Sequence, residues 1–192
     1  MFNNTAQKLQ ASGAVGVIPT DTLYGLAARA ADESAVKRLY ECKNRDQNPG
    51  TIIAANIDQL VDLGIKRRYL TAVEQFWPNP LSIIIPCGPE LAYLHLGKQS
   101  LAIRIPDDKS LRDLLVQTGP LLTSSANHPG EKPAETIAEA QNYFGGQVDF
   151  YVDGGSLTSH KPSTIIRIVD DAIEILRPGA AIIDEAGRIS HE

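Results

Sequence analysis

Two cations one residue apart, Lys43 and Arg45, stand at the end of a helical periodicity, just before Asp46-Gln47-Asn48-Pro49-Gly50 breaks it. A pair with that reach suits an anion, although Lys and Arg also collect in last helical turns simply because the dipole favours them there. Three further polar knots weigh toward function. Pro19-Thr20-Asp21-Thr22 follows the apolar run 14–18, Thr123-Ser124-Ser125-Ala126-Asn127 follows Leu121-Leu122, and Lys161-Pro162-Ser163-Thr164 precedes Ile165-Ile166. In open α/β sheets ligands bind in the crevice at strand ends, where distant loops converge.

The chain has neither a G-x-x-x-x-G-K-[ST] loop nor a G-x-G-x-x-G turn, so a phosphate must be held by other means. Lys43, Arg45, Arg104 and Arg177 offer charge, and Ser125 and Ser163 offer neutral donors, a mixture suited to a polyphosphate together with a carboxylate. Arg104 interrupts an apolar run and needs a partner: either a structural ion pair or an anion reached from the strand. Ser124 and Ser125 lack a G-x-S-x-G elbow, which argues against a hydrolase nucleophile. What remains is catalysis by positioning two substrates and stabilising charge at a phosphoryl centre, as in adenylation. There a carboxylate attacks the α-phosphate of ATP, pyrophosphate leaves, and cations with Mg²⁺ offset the negative charge.

The elements that must position these groups follow from periodicity. Helices are expected over 5–12, from an Asp32 N-cap to about Lys43, over 57–63, 70–76 and 111–116, and from a Thr136 capping box to Phe144. Strands are expected over 14–18, 51–55, 81–86, 101–106, 121–123, 150–152, 164–169 and 172–176, the last two as a hairpin. Residues 20–26 read as a turn, and Trp77-Pro78-Asn79-Pro80 as a stiff one. Strands and helices interleave, so the fold class is α/β with an open mixed sheet and flanking helices.

With 192 residues, 43% hydrophobic and 21% charged, the chain can bury an ordinary core as one domain over 1–192. A net charge of −5 argues against non-specific coating of nucleic acid but leaves room for a local basic cleft. Cys42 and Cys87 have no metal or redox spacing, and His95, His128, His160 and His191 read as loop or surface residues. No run is long enough to span a bilayer and no signal peptide is legible, so a cytoplasmic location is expected.

Lys-x-Arg at 43–45 with Ser-x-Asn at 125–127 resembles the signature of the YrdC/Sua5 family of threonylcarbamoyl-adenylate synthases. Residues 18–26 resemble its P-T-[DE]-T-x-Y-G-L segment, 77–82 its W-P-G-P-[LV]-T turn, and 101–106 its V-R-x-P strand. Residues 162–166 and 176–179 resemble its closing P-S-T-[IV] and L-R-x-G elements, so the likeness runs from about residue 10 to 180 in order. It implies a twisted YrdC-like sheet with a concave, positively lined cleft. It also implies a nucleotidyltransferase that joins L-threonine, bicarbonate and ATP into threonylcarbamoyl-AMP and pyrophosphate. The product would feed N6-threonylcarbamoyladenosine at tRNA position 37 through a separate transferase complex.

Carried over by position, Lys43 and Arg45 would hold phosphates and the carboxylate, while Thr20 and Tyr24 would border the amino acid. Thr123, Ser125 and Asn127 would line the nucleotide and carbonyl side, with Arg104, Ser163 and Arg177 completing the nucleotide contacts. Mg²⁺ would bind chiefly through substrate oxygens, and the chain resembles the short form without a C-terminal extension. Asn79, Ser82, Gly50-Thr51 and Pro129 depart from the family pattern, and Gly50 is expected to loosen the loop beside Arg45. Two other classes fit less well: a non-catalytic RNA-binding or ribosome-associated module, and carbamoyl-adenylate chemistry of the hydrogenase-maturation kind. Direct contact of this chain with RNA or tRNA is left open by the sequence under either reading.

Overall fold

The computed structural model describes residues 1–44, 48–170, 172–184 and 188–191. In chain order the elements begin with α1 (Thr5–Gln10), β1 (Val15–Pro19), β2 (Tyr24–Arg29), α2 (Glu33–Cys42), β3 (Thr51–Ile53), α3 (Ile57–Asp62) and α4 (Arg67–Thr71). Then come β4 (Leu81–Pro86), α5 (Ala92–His95), β5 (Ser100–Arg104), α6 (Lys109–Thr118), β6 (Leu121–Ser125) and α7 (Ile137–Phe144). The tail supplies β7 (Phe150–Tyr151), β8 (Thr164–Val169), β9 (Ala172–Arg177), β10 (Ala181–Ile183) and β11 (Ile189–His191).

Nine strands form one mixed sheet in the order β7-β1-β2-β6-β3-β5-β4-β8-β9, and β10 pairs with β11 alone. Every residue of β1 is buried, because β7 runs parallel on one side, β2 antiparallel on the other, and both faces are covered. Such a strand reads as continuous apolar sequence rather than as an alternation. One face packs Val15, Val17, Leu26, Ile52, Ile83, Ile103 and Leu122 against helices including α2 and α7. The other packs Ile18, Ala27, Ile53 and Leu121 against Leu9 of α1 and Leu111, Leu114 and Leu115 of α6.

Capping follows the sequence closely. The Asp32 side chain accepts from Ala35 N, Asp108 from Leu111 N and Thr136 from Glu139 N, each satisfying an otherwise orphaned first-turn amide. Among the described residues no helix is long and apolar enough to cross a membrane.

Three expectations need correction. Residues 20–26 are not all turn: Thr20 N bonds Leu23 O, and β2 starts at Tyr24, pairing with β1 from Pro19↔Tyr24 to Val15↔Ala28. Gly25, Ala27 and Ala28 have weak strand propensity, and the central position between β1 and β6 overrides it. The helix expected over 70–76 is divided into α4 and a 3₁₀ turn, Glu74–Phe76. Buried Leu70, Val73 and Phe76 recur every three residues, the spacing at which a 3₁₀ geometry stacks side chains. His95 is buried rather than exposed: its Nδ1 accepts from Gly97 N and Gln99 N, and its Nε2 lies 3.2 Å from Gly88 O. Those contacts employ the ring to close the α5 turn.

Candidate active site

The face covered by α1 and α6 is covered only in part. On β3, Ile53 lies in the apolar cluster beneath α6, and Thr51, two residues away on the same face, lines an open cleft. The same change occurs on β6 between Leu121 and Thr123, and the register puts Ile53 beside Leu121 and Thr51 beside Thr123. The cleft has a volume of about 580 Å³. Its described lining contains four cations, Lys98, Arg104, Arg167 and Arg177, several Ser and Thr hydroxyls and no carboxylate.

Arg104 stands where the two halves meet, beside Ile53 in the β3–β5 register. Ser100, Ala102 and Arg104 alternate along β5 and all face the cleft. The Arg104 side chain is 4% exposed, and its Nη2 lies 2.9 Å from Oδ1 of Asp21, itself 8% exposed. Nη1 donates to Thr22 Oγ1 at 3.3 Å, and that hydroxyl lies 3.0 Å from Thr20 Oγ1. Burial pushes the Asp21 carboxyl above its ordinary value, against the pull of Arg104. Of the alternatives posed for Arg104, the buried ion pair is the one present, and the same side chain lines the cleft.

Thr20 and Tyr24 do less at the cleft than their positions suggest. Thr20 Oγ1 donates to Leu23 O at 2.7 Å and accepts from the amides of Thr22 and Leu23, so it shapes the turn. The Tyr24 side chain is fully buried; its hydroxyl donates to Gly155 O at 2.8 Å and accepts from Gly154 N at 2.8 Å. Tyr24 thereby ties β2 to the loop that leads toward Ser163. Its carbonyl accepts from Ala126 N at 2.8 Å, which aligns the Ser-x-Asn segment.

Thr123 and Ser125 line the cleft from β6, with Thr123 Oγ1 donating to Thr51 O at 3.0 Å. Behind them, Lys43 is 1% exposed and does not line the cleft. Its Nζ donates to Ser125 O at 2.7 Å, to Asn127 Oδ1 at 3.0 Å and to the Asn127 carbonyl. Asn127, also set back, accepts from Ser125 Oγ at 2.6 Å and donates through Nδ2 to Glu131 O at 2.6 Å. Lys43 and Asn127 thus form a charged knot behind the Ser125 hydroxyl. Arg45 lies outside the described residues.

Ser163 and Arg177 line the opposite wall. Arg177 Nη2 donates to Ser163 O at 2.6 Å and Oγ at 3.0 Å, and Ser163 Oγ lies 3.0 Å from Oγ of fully buried Ser82. Gly50 is not a loosened joint: it is buried, its amide donates to Tyr40 OH at 3.2 Å, and a Cβ there would lie 2.5 Å from Thr123 O. Asn79 has ordinary negative φ and bonds Phe76 O through Nδ2, so it serves the turn by hydrogen bonding.

Sequence reasoning missed Lys98, Ser100 and Arg167. Strand alternation contained a signal for two of them, since stepping back from Arg104 in twos passes Ala102 and reaches Ser100, and one such step on from Ile165 reaches Arg167. Lys98 precedes β5 and carried no such mark. Among the described residues no three His, Cys, Asp or Glu side chains are grouped to hold a metal ion.

A mixed sheet with helices on both faces and one half-face left open as a cationic, hydroxyl-lined cleft defines an α/β protein whose open side is chemically suited to an anion. The chain belongs to the Sua5/YciO/YrdC family, whose model, described as "Telomere recombination", matches residues 8–179. It is 37% identical over 172 residues to a threonylcarbamoyl-AMP synthase of Bacillus subtilis, covering 86% of this chain and 49% of that one. It is 33% identical over 172 residues to the threonylcarbamoyl-AMP synthase of Pseudomonas putida, covering 88% and 92%. The crystal structure of Pyrococcus abyssi Sua5 complexed with L-threonine superposes with a TM-score of 0.82 at 29% identity, over 95% of this chain and 55% of that one. The chain thus spans about half the length of the Bacillus relative and of the Pyrococcus protein.

Proposed function

We propose that the chain is a nucleotidyltransferase that condenses L-threonine, bicarbonate and ATP to threonylcarbamoyl-AMP and pyrophosphate. The observation that carries this reading is the cleft itself: four cations and a set of hydroxyls, with no carboxylate among its described lining residues, in a member of this family. Such a lining favours phosphate and carboxylate oxygens, with Arg104 and Arg167 each paired to a carboxylate outside it, Asp21 and Glu174.

In this reading Arg104, Arg177 and Arg45 neutralise charge that develops on the α-phosphate and the departing pyrophosphate. Ser163 donates to the nucleotide, while Ser125, its proton held by Asn127 Oδ1 in the Lys43–Asn127 knot, presents its oxygen as an acceptor. Thr20 and Thr123 border the small substrates, with Tyr24 acting through the backbone it anchors. The donor set suits Mg²⁺ only through substrate oxygens and water, since the protein presents hydroxyls there; bound that way, the ion would polarise the phosphates. The product is a mixed anhydride, consumed by a separate transferase that places threonylcarbamoyl on adenosine 37 of tRNA, in the cytoplasm.

The test is pyrophosphate release by the purified chain with ATP, Mg²⁺ and bicarbonate, with and without L-threonine, while the adenylate is followed by mass. Release that requires both threonine and bicarbonate, with a product of the matching mass, is expected. Tight binding of ATP or RNA without turnover would replace this reading with a binding module.

A further inference from the structure

The Asp21–Arg104 pair is charged, buried and poorly hydrogen-bonded. The two charges touch at 2.9 Å, yet neither Asp21 oxygen receives a well-directed hydrogen bond, and Arg104 Nε is buried with no acceptor. Buried polar groups left in that condition call for an explanation, because each forfeits hydration with no return. Packing alone does not supply one, since an apolar pair of similar volume would satisfy the same seam at lower cost.

The surroundings sharpen the point. Arg104 faces the cleft, and Asp21 faces a second cavity of about 480 Å³, lined also by Asp107 and Asp108; Thr20 lines both. Those two acids are committed elsewhere: Asp108 caps α6 through Leu111 N, and Asp107 meets Arg112 at 3.5 Å. Burial raises the Asp21 carboxyl against the pull of Arg104, and the fields of Asp108 and Asp107 add to it, so its charge is held at a disadvantage. Among the described carboxylates only Asp21 forms an ion pair with Arg104.

We propose that Asp21 is a positioning residue that acts as a brake on anion affinity: it holds Arg104 at the cleft wall, and a substrate phosphate or carboxylate must take the guanidinium over from it. The inference rests on the reading of the cleft as the site for ATP and L-threonine. Arg104 keeps its second tether to Thr22 during the exchange, so its aim is preserved while its counter-charge changes. Affinity is thereby kept below what an uncompensated buried arginine would give, which favours release of the product anions.

A double-mutant cycle on the full chain tests this by calorimetric binding of ATP with Mg²⁺ and, separately, of L-threonine. Asp21→Asn is expected to tighten one of these ligands by about 3- to 30-fold, a typical coupling for groups in contact, and the effect should vanish in the Arg104→Met background. The ligand that tightens identifies which anion takes over the guanidinium. A merely structural Asp21 would lower the melting temperature and leave affinity unchanged or weaker. Either that result, or the same tightening with and without Arg104, overturns the proposal. Asp21→Ser carries the same expectation should Asp21→Asn fail to fold. A wild-type chain that binds normally but forms no adenylate would remove the proposed reaction and leave the brake standing; one that binds neither ligand would remove both.

Discussion

The two halves of one sheet face were built from the same strands to opposite ends. Beneath α1 and α6, Ile53 and Leu121 bury apolar surface; two residues along the same strands, Thr51 and Thr123 present hydroxyls to an open cleft. The backbone hydrogen bonds are continuous across the boundary, since Ile53↔Leu121 and Thr51↔Thr123 belong to one ladder. The difference lies in side chains and cover alone. A stable scaffold and a binding surface can therefore share strands, provided that the stable half is large enough to fix the other.

The comparison predicts that changes on the open half cost activity and changes on the covered half cost stability. The largest loss is expected at Arg45, chosen for its place in the Lys-x-Arg motif and lying outside the described residues: Arg45→Ala should lower adenylate formation by at least about 100-fold, the usual scale for losing a transition-state charge donor, with circular dichroism unchanged. An active Arg45→Ala chain would remove it from the phosphate site. On the covered half, Leu115→Ala should destabilise by about 2–5 kcal/mol in urea titrations, because a fully buried side chain leaves a cavity. Its folded fraction should keep the wild-type KM; a changed KM would mean that the halves are not separable.

Gly50→Ala probes the floor of the cleft itself. Its added methyl would meet Thr123 O at 2.5 Å, so a loss of about 1–3 kcal/mol is expected together with weaker substrate binding. Neutral behaviour in both assays would show that the floor can yield there.

Asp149→Asn tests the far side of the molecule, where Asp149 Oδ2 joins Arg38 at 2.5 Å and accepts from Val15 N at 2.8 Å. A loss of about 1 kcal/mol is expected, reduced by salt because the pair is partly exposed. Burial raises this carboxyl, but the hydrogen bonds from Arg38 and Val15 outweigh it and hold the group below 3.8. The folded chain therefore binds fewer protons than the unfolded one just below that pH. The contribution is present above 3.8 and lost as pH falls through the lower folded value, and Asp149→Asn should flatten the acid limb of stability. The smallest effect belongs to exposed Lys98: Lys98→Ala should weaken ATP binding about two- to fivefold without altering the melting temperature.

Much of this organisation was legible in the chain alone. Apolar runs of four to six residues marked most strands, caps at Asp32 and Thr136 marked two helices, and polar knots at the ends of β1 and β6 and the start of β8 marked the cleft walls. The legible features are local, set by periodicity and by groups within a few residues of one another. Strand β2 was hidden because glycine and alanines carry little propensity, and His95 because its burial depends on amides around a turn that periodicity does not describe.

What only the tertiary structure decided is which way each polar group is employed. Lys43, read as a cation facing an anion, is turned onto Ser125 and Asn127, 82 and 84 residues away in the chain. Tyr24 spends its hydroxyl on the Gly154–Gly155 loop, and Arg104 meets Asp21 across the seam between covered and open halves. Residue types determined that charge and hydroxyls would gather at the strand ends, because a buried sheet must place its polar groups where solvent or ligand can reach them. Their pairing was settled by long-range contacts, whose geometry depends on the order of strands in the sheet and not on the spacing of residues along the chain.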